Sequence, residues 1–130
     1  MPWTPNDHEL QSVLGLAGPD RYTHFVKKIA DQQELWSLWN HGWVLASDDS
    51  GRELIPVWPN EKYAALCSEG RWAGSVPKLI ELGAWMDRWI GGAKRDGRLI
   101  AVFPTTESRG VVVEPDQLAT DIELELSKYE

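Results

Sequence analysis

The chain reads as a single α+β domain: a mostly antiparallel β-sheet of about five or six strands with helices packed on it. Three observations lead there. The apolar periodicity switches repeatedly between helical and strand spacing along 130 residues. The order of elements, ααβββαβαββα, does not alternate as a doubly wound parallel sheet would. A composition of 42% hydrophobic and 25% charged residues is that of a globular chain with a full core. Residues 1–5, with two prolines, read as a loose tail, and 6–130 as the domain.

The elements follow in order. Asn6 or Asp7 caps a first helix through about Leu14, with Leu10, Val13 and Leu14 on its apolar side. Gly15 and Gly18 end it. Pro19 suits the first turn of a second helix, where a missing N–H costs nothing. There Tyr22, Phe25, Val26 and Ile29 form one stripe. Leu35–Trp39 and Trp43–Ala46 are short, aromatic and β-branched, with the turn Asn40-His41-Gly42 between them, and so predict a β-hairpin. A second turn, Asp48-Asp49-Ser50-Gly51, leads to a third strand, Glu53–Trp58, making a meander. Pro56 removes a ladder donor and predicts an edge or a bulge.

Asn60 caps a helix carrying Tyr63, Ala64, Leu66 and Cys67, closed by Gly70. Ser75–Ile80 is a short strand or a connector. A helix with Trp85, Met86, Trp89 and Ile90 follows, stopped by Gly91-Gly92. Leu99–Phe103 and Gly110–Val113 are near-continuous apolar runs and predict central strands covered on both faces. Pro115 opens a last helix with Leu118, Ile122, Leu126 and Tyr129 on one stripe. The expected core includes Phe25, Ile29, Leu38, Leu45, Val102, Val112, Leu118 and Ile122.

Charge and cysteine usage narrow the function classes. Twenty acids against thirteen bases give a net charge of −7, a surface that repels phosphate backbones and argues against nucleic-acid binding. The acidic C-terminal segment (Asp116, Asp121, Glu123, Glu125 and Glu130 against Lys128) reads as a solvated helix face, the sharper alternative being an acidic surface for a basic partner. Cys67 is the only cysteine, so no internal disulfide forms, which fits a cytoplasmic protein. The first residues have neither a basic nor an apolar region of a signal peptide, and no apolar run approaches the ~20 residues of a membrane span.

No catalytic constellation stands out. His8, His24 and His41 are isolated, with no metal-ligand spacing and no thiolate cluster, so neither metal nor cofactor is expected. Cys67, on an amphipathic helix, reads as a small buried residue without a visible base. Asp48-Asp49-Ser50-Gly51 lacks the alternating ligands of a calcium loop and reads as an Asx turn. Gly91–Gly97 follows a helix instead of opening one, so it reads as a C-cap and not as a phosphate loop.

The eight tryptophans are the distinctive feature. An indole serves a core, a groove or an interface equally well. Pro56-Val57-Trp58-Pro59 is a stiff corner that would present Trp58, and Trp72 sits between Arg71 and the small Ala73-Gly74 pair. With Lys78 and Arg88 as bases on an acidic chain, Trp58, Pro59, Arg71, Trp72, Lys78 and Arg88 form the candidate binding surface. The leading reading is a non-enzymatic interaction protein, an adaptor or inhibitor-type partner for an unidentified protein or peptide. The alternative is a small-molecule domain with a Trp- and Arg-lined pocket. An enzyme is the least favoured reading. Indoles beyond the needs of a core also suggest a homodimer.

The run Arg21–Lys28 with Asp31, then Leu35-Trp36, Gly42-Trp43, Pro56–Pro59, Tyr63-Ala64, Trp72–Gly74, Ala101–Pro104 and Gly110–Val112 resembles the domain-of-unknown-function family 2750 over roughly residues 7–129. The resemblance implies a single-domain, intracellular bacterial protein and carries no catalytic residue with it. It departs from the expected pattern at Leu82-Gly83, where no Ser/Thr-led cap opens the helix.

Overall fold

In the computed structural model, which describes residues 4–70 and 72–129, the chain enters through α1 (Asp7–Leu14) and α2 (Gly18–Gln32). Asn6 caps α1 by accepting the Glu9 N–H at 2.8 Å. Pro19 occupies the first turn of α2, and Phe25, Val26 and Ile29 face the core. Of the tail expected over residues 1–5, residues 1–3 lie outside the described residues. Pro5 is buried, and its carbonyl accepts from the Lys62 ammonium at 2.9 Å.

The strands are β1 (Glu34–Trp39), β2 (Ala46–Ser47), β3 (Glu53–Val57), β4 (Val76–Glu81), β5 (Leu99–Val102) and β6 (Val111–Val113). They form an antiparallel pair, β1–β4, and a four-stranded sheet in the order β2-β3-β5-β6. A bridge between Trp36 and Trp58, with N–H···O distances of 2.9 and 2.8 Å, joins the two. All pairings are antiparallel except β3–β5, where Leu54 lies opposite Leu99 and Val57 opposite Val102. The α+β architecture and element order follow the sequence reading.

The expected hairpin is corrected. Its turn exists: the Val44 N–H reaches the Leu38 carbonyl at 3.0 Å, and Trp39 bridges Trp43. The ladder goes no further, because one edge of β1 is taken by β4 and the other by the Trp58 bridge. The β2–β3 turn forms as expected, with Asp48 Oδ1 accepting from the backbone N–H groups of Ser50 (3.0 Å) and Arg52 (2.9 Å). Pro56 does not mark an edge or a bulge. Its carbonyl points toward β1 and accepts from Ser37 Oγ at 2.7 Å. On that side β2 has already ended, so the missing N–H leaves no ladder bond broken.

Between strands lie α3 (Glu61–Ser68), capped by Asn60, and a long helical run. That run comprises α4 (Leu82–Ala84), a π-helical turn (Trp85–Trp89) and α5 (Ile90–Asp96). It passes straight through Gly91-Gly92. The stop is Gly97, whose φ of 69° gives the left-handed cap that Gly91 and Gly92 do not supply. Glu81 precedes α4 with no side-chain cap, as the sequence suggested. The last helix is α6 (Pro115–Ser127), on which Tyr22 of α2 donates a hydrogen bond to Asp121.

Trp58, Trp85, Tyr63, Phe25, Phe103, Leu38, Leu118 and Ile122 are among the large fully buried side chains of the core. Leu54, Leu99 and Ala101 pack separately on the opposite face of the sheet, so β5 is buried on both faces. Two core expectations fail. Val112 is 42% exposed because β6 is the edge of its sheet, not a central strand. Leu45 is only half-buried because the second hairpin strand does not form.

Candidate functional site

Six of the described tryptophans fall into two groups, and the division redraws the expected surface. In the first, Trp58 is wholly buried. Its Nε1–H donates to the Pro104 carbonyl at 2.7 Å, and its ring meets Trp72 edge to face at 5.8 Å. The parallel pairing of β3 with β5 brings the two strand ends together and places Trp58 beneath Pro104. The Pro-Trp-Pro corner therefore anchors the core and does not present an indole. Pro59 is buried too, its carbonyl taken by the Gln32 side chain. Trp72 is half-buried and lines a cleft of about 270 Å³ with Leu54, Ala101 and Arg109. Arg109 is committed to Asp49 at 2.6 Å, which holds its guanidinium above its ordinary pKa. Arg71 lies outside the described residues.

The second group is a run of contacts Trp39–Trp43–Trp89–Trp85. Trp39 and Trp43 meet edge to face at 5.3 Å, as do Trp43 and Trp89 at 4.8 Å. Trp85 and Trp89 stack at 5.5 Å. The π turn sets this last pair: the Ile90 N–H reaches the Trp85 carbonyl five residues back. Single π turns recur at functional sites in helices. Lys78 extends from β4 over this group, its ammonium 3.8 Å from the Trp39 ring centroid and 5.2 Å from that of Trp43.

Between Trp43 and the helix opens a cleft of about 380 Å³, exposed to solvent on one side. Leu45 and Ile55 form its apolar wall. Trp89, Gly92 and Ala93 line it from the helix at spacings of three and four, one face of one helix. Gly92 leaves room there: a Cβ would meet only the tip of Arg95, at 3.6 Å. The rim carries Arg88, Asp96 and Arg98. Arg98 is engaged at 3.1 Å by both Glu53 and Asp96. Arg88 is exposed and makes no ion pair among the described residues.

Of the sequence-predicted site residues, the structure thus joins Trp58 with Trp72 and places Lys78 and Arg88 with other indoles. Trp43, Trp89 and Gly92 went unseen as a site. The usable signal was the Trp89, Gly92, Ala93 spacing, hidden by reading Gly91-Gly92 as the helix end.

The groups with displaced pKa values stand elsewhere. Burial, then the hydrogen bond to Asp121, pushes the Tyr22 hydroxyl up, and burial pushes Tyr63 up. Burial and then Lys28 push His24 down. Cys67 is buried and free of disulfide, its Sγ 3.5 Å from the Pro104 carbonyl. No cluster of three or more His, Cys, Asp or Glu side chains suited to a metal occurs among the described residues. Nor is any described helix long and apolar enough to cross a membrane.

A comparison with curated proteins found no match. The family described as protein of unknown function (DUF2750) matches residues 22–122, a span that holds both tryptophan groups and the whole Trp43–Trp89 cleft. The chain belongs to that family.

Proposed function

We propose that this chain is a non-enzymatic, cytoplasmic interaction protein that anchors an apolar side chain of a protein partner in the Trp43–Trp89 cleft. The observation that carries the reading is the cleft itself: open on one side, walled by two half-buried indoles and two aliphatic side chains, and bordered by a guanidinium with no ion pair among the described residues. Aromatic side chains and arginine dominate binding energy at protein interfaces. The open side favours a partner's side chain over an enclosed small molecule. Indoles, aliphatic groups and guanidinium groups supply no nucleophile, the one lining carboxylate, Asp96, is held by Arg98 at 3.1 Å, and Tyr22, Tyr63 and His24 are not among the lining residues.

Selection of a displayed random-peptide library against the folded protein tests this. The expected result is a consensus built on one large apolar residue, whose binding is lost in Gly92→Leu, where the new side chain fills the cleft. A consensus without an apolar anchor, or binding that survives the filled cleft, would reject the reading.

A further inference from the structure

The same cleft has the size and charge for one kind of anchor. Its volume of about 380 Å³ stands near the lower end of the roughly 300–1,000 Å³ usual for ligand sites. It holds one side chain, not a length of chain. The two indoles already meet edge to face at 4.8 Å, and a third ring entering beside them continues that arrangement, which aromatic groups favour beyond area burial alone.

Charge narrows the occupant further. Arg98 is shared between Asp96 on the rim and Glu53 beyond it, so these three groups together carry one net negative charge. Arg88 adjoins Trp89 in sequence, borders the same opening and faces no carboxylate of the described residues at ion-pair distance. A planar guanidinium takes one carboxylate in a two-point grip. A second negative charge on the occupant would meet Asp96 at the rim of a chain of net charge −7. An acidic stretch is therefore disfavoured, and a single carboxylate close to the ring is favoured.

Resting on the interaction reading above, we infer that the cleft takes the C-terminal aromatic residue of a partner chain, its ring against Trp43 and Trp89 and its terminal carboxylate on Arg88. In a chain terminus the carboxylate lies a few bonds from the ring, and the preceding residues leave through the open side.

Calorimetric titration with defined probes tests the assignment. The probes are an acetylated glycine–serine peptide ending in phenylalanine with a free carboxylate, the same peptide as its amide, and 3-phenylpropionate. The free-acid peptide should bind, and the amide should bind about tenfold more weakly or worse, the scale of a lost charge-assisted hydrogen bond. Arg88→Leu should lower the acid to the level of the amide. Gly92→Leu should abolish binding of both while the circular dichroism spectrum stays that of the parent. Equal binding of acid and amide, or an acid unaffected by Arg88→Leu, overturns the inference and leaves the apolar anchor standing. Binding of 3-phenylpropionate without binding of the peptide makes the occupant a free aromatic acid and overturns the chain terminus. No saturable binding of any probe, or undiminished binding to Gly92→Leu, overturns the inference and the interaction reading together.

Discussion

The indole N–H of Trp58 donates to the carbonyl of Pro104 at 2.7 Å across the ends of the two parallel strands β3 and β5. The bond satisfies the one polar atom of one of the two largest fully buried side chains in the core. It also tells why a tryptophan between two prolines is interior: the carbonyl it needs sits at the end of a strand 46 residues later in the sequence. Trp58→Phe removes the donor and shrinks the side chain. A loss of about 2–4 kcal/mol in urea denaturation is expected, and a loss below ~0.5 kcal/mol, the usual surface range, would reject the anchoring role.

Leu38 and Ile122 are fully buried, whereas Val112, equally apolar in its run, is 42% exposed. Truncation should follow burial and not hydrophobicity. Leu38→Ala and Ile122→Ala should each cost ~2–5 kcal/mol, and Val112→Ala less than about 1 kcal/mol. Denaturant midpoints of the three variants, compared at equal slope, decide it. Val112→Ala proving as costly as Leu38→Ala would contradict an edge position for β6.

What the sequence disclosed was mostly local. Asn6, Asn60 and Pro19 announce their helices because caps and first-turn prolines act within a few residues. Asp48 announces its turn for the same reason. The long-range pairings were not legible. Nothing near Glu34–Trp39 says that its partner is Val76–Glu81, and nothing near β3 says that it runs parallel to β5. The candidate site failed on the same ground. Lys78 and Arg88 were read with Trp58 and Trp72 by nearness in sequence, but the fold carries them to Trp39, Trp43 and Trp89. Gly91-Gly92 misled because glycine permits a helix end without requiring one, and here neither adopts a positive φ.

His24 sets part of the pH dependence of stability. Burial and the nearby Lys28 lower its pKa from the ordinary 6.5, only partly offset by Glu9. The unfolded chain therefore takes up a proton on acidification before the folded chain does, and stability rises with pH in that window. The contribution is present above about pH 6.5 and is lost as pH falls toward the depressed folded value. His24→Leu should flatten the fall of the denaturation midpoint as pH drops below about 6.5. Parallel profiles for parent and variant would show that His24 plays no such part.

The expected homodimer has a surface suited to it in β4. That strand pairs with β1 alone among the described strands. Its Val76 is 56% and its Leu79 40% exposed. Edge strands with exposed apolar side chains are templates for pairing with another chain. Sedimentation at micromolar concentration should show a dimer that Leu79→Lys converts to monomer. Only monomer in the parent protein would end the proposal.

Two glycines should answer alanine in opposite directions. Gly91 lies inside α5, and a Cβ there would meet nothing within 4 Å. Gly91→Ala should stabilise by about 0.5–1 kcal/mol, since glycine loses more freedom than alanine on entering a helix. Gly110 has a φ of +84°, and a Cβ there would come within 2.6 Å of the Val102 carbonyl oxygen and 2.9 Å of the Pro104 nitrogen. Both obstacles are backbone, at the crossing of β5 and the loop that leads to β6, and neither can rotate away. Gly110→Ala should cost at least ~2 kcal/mol, combining a strained backbone with a clash. Thermal or urea unfolding of the pair gives the signs directly. A destabilised Gly91→Ala would mean that the helix does stop at Gly91-Gly92, and a neutral Gly110→Ala would mean that the chain leaves β5 by another path.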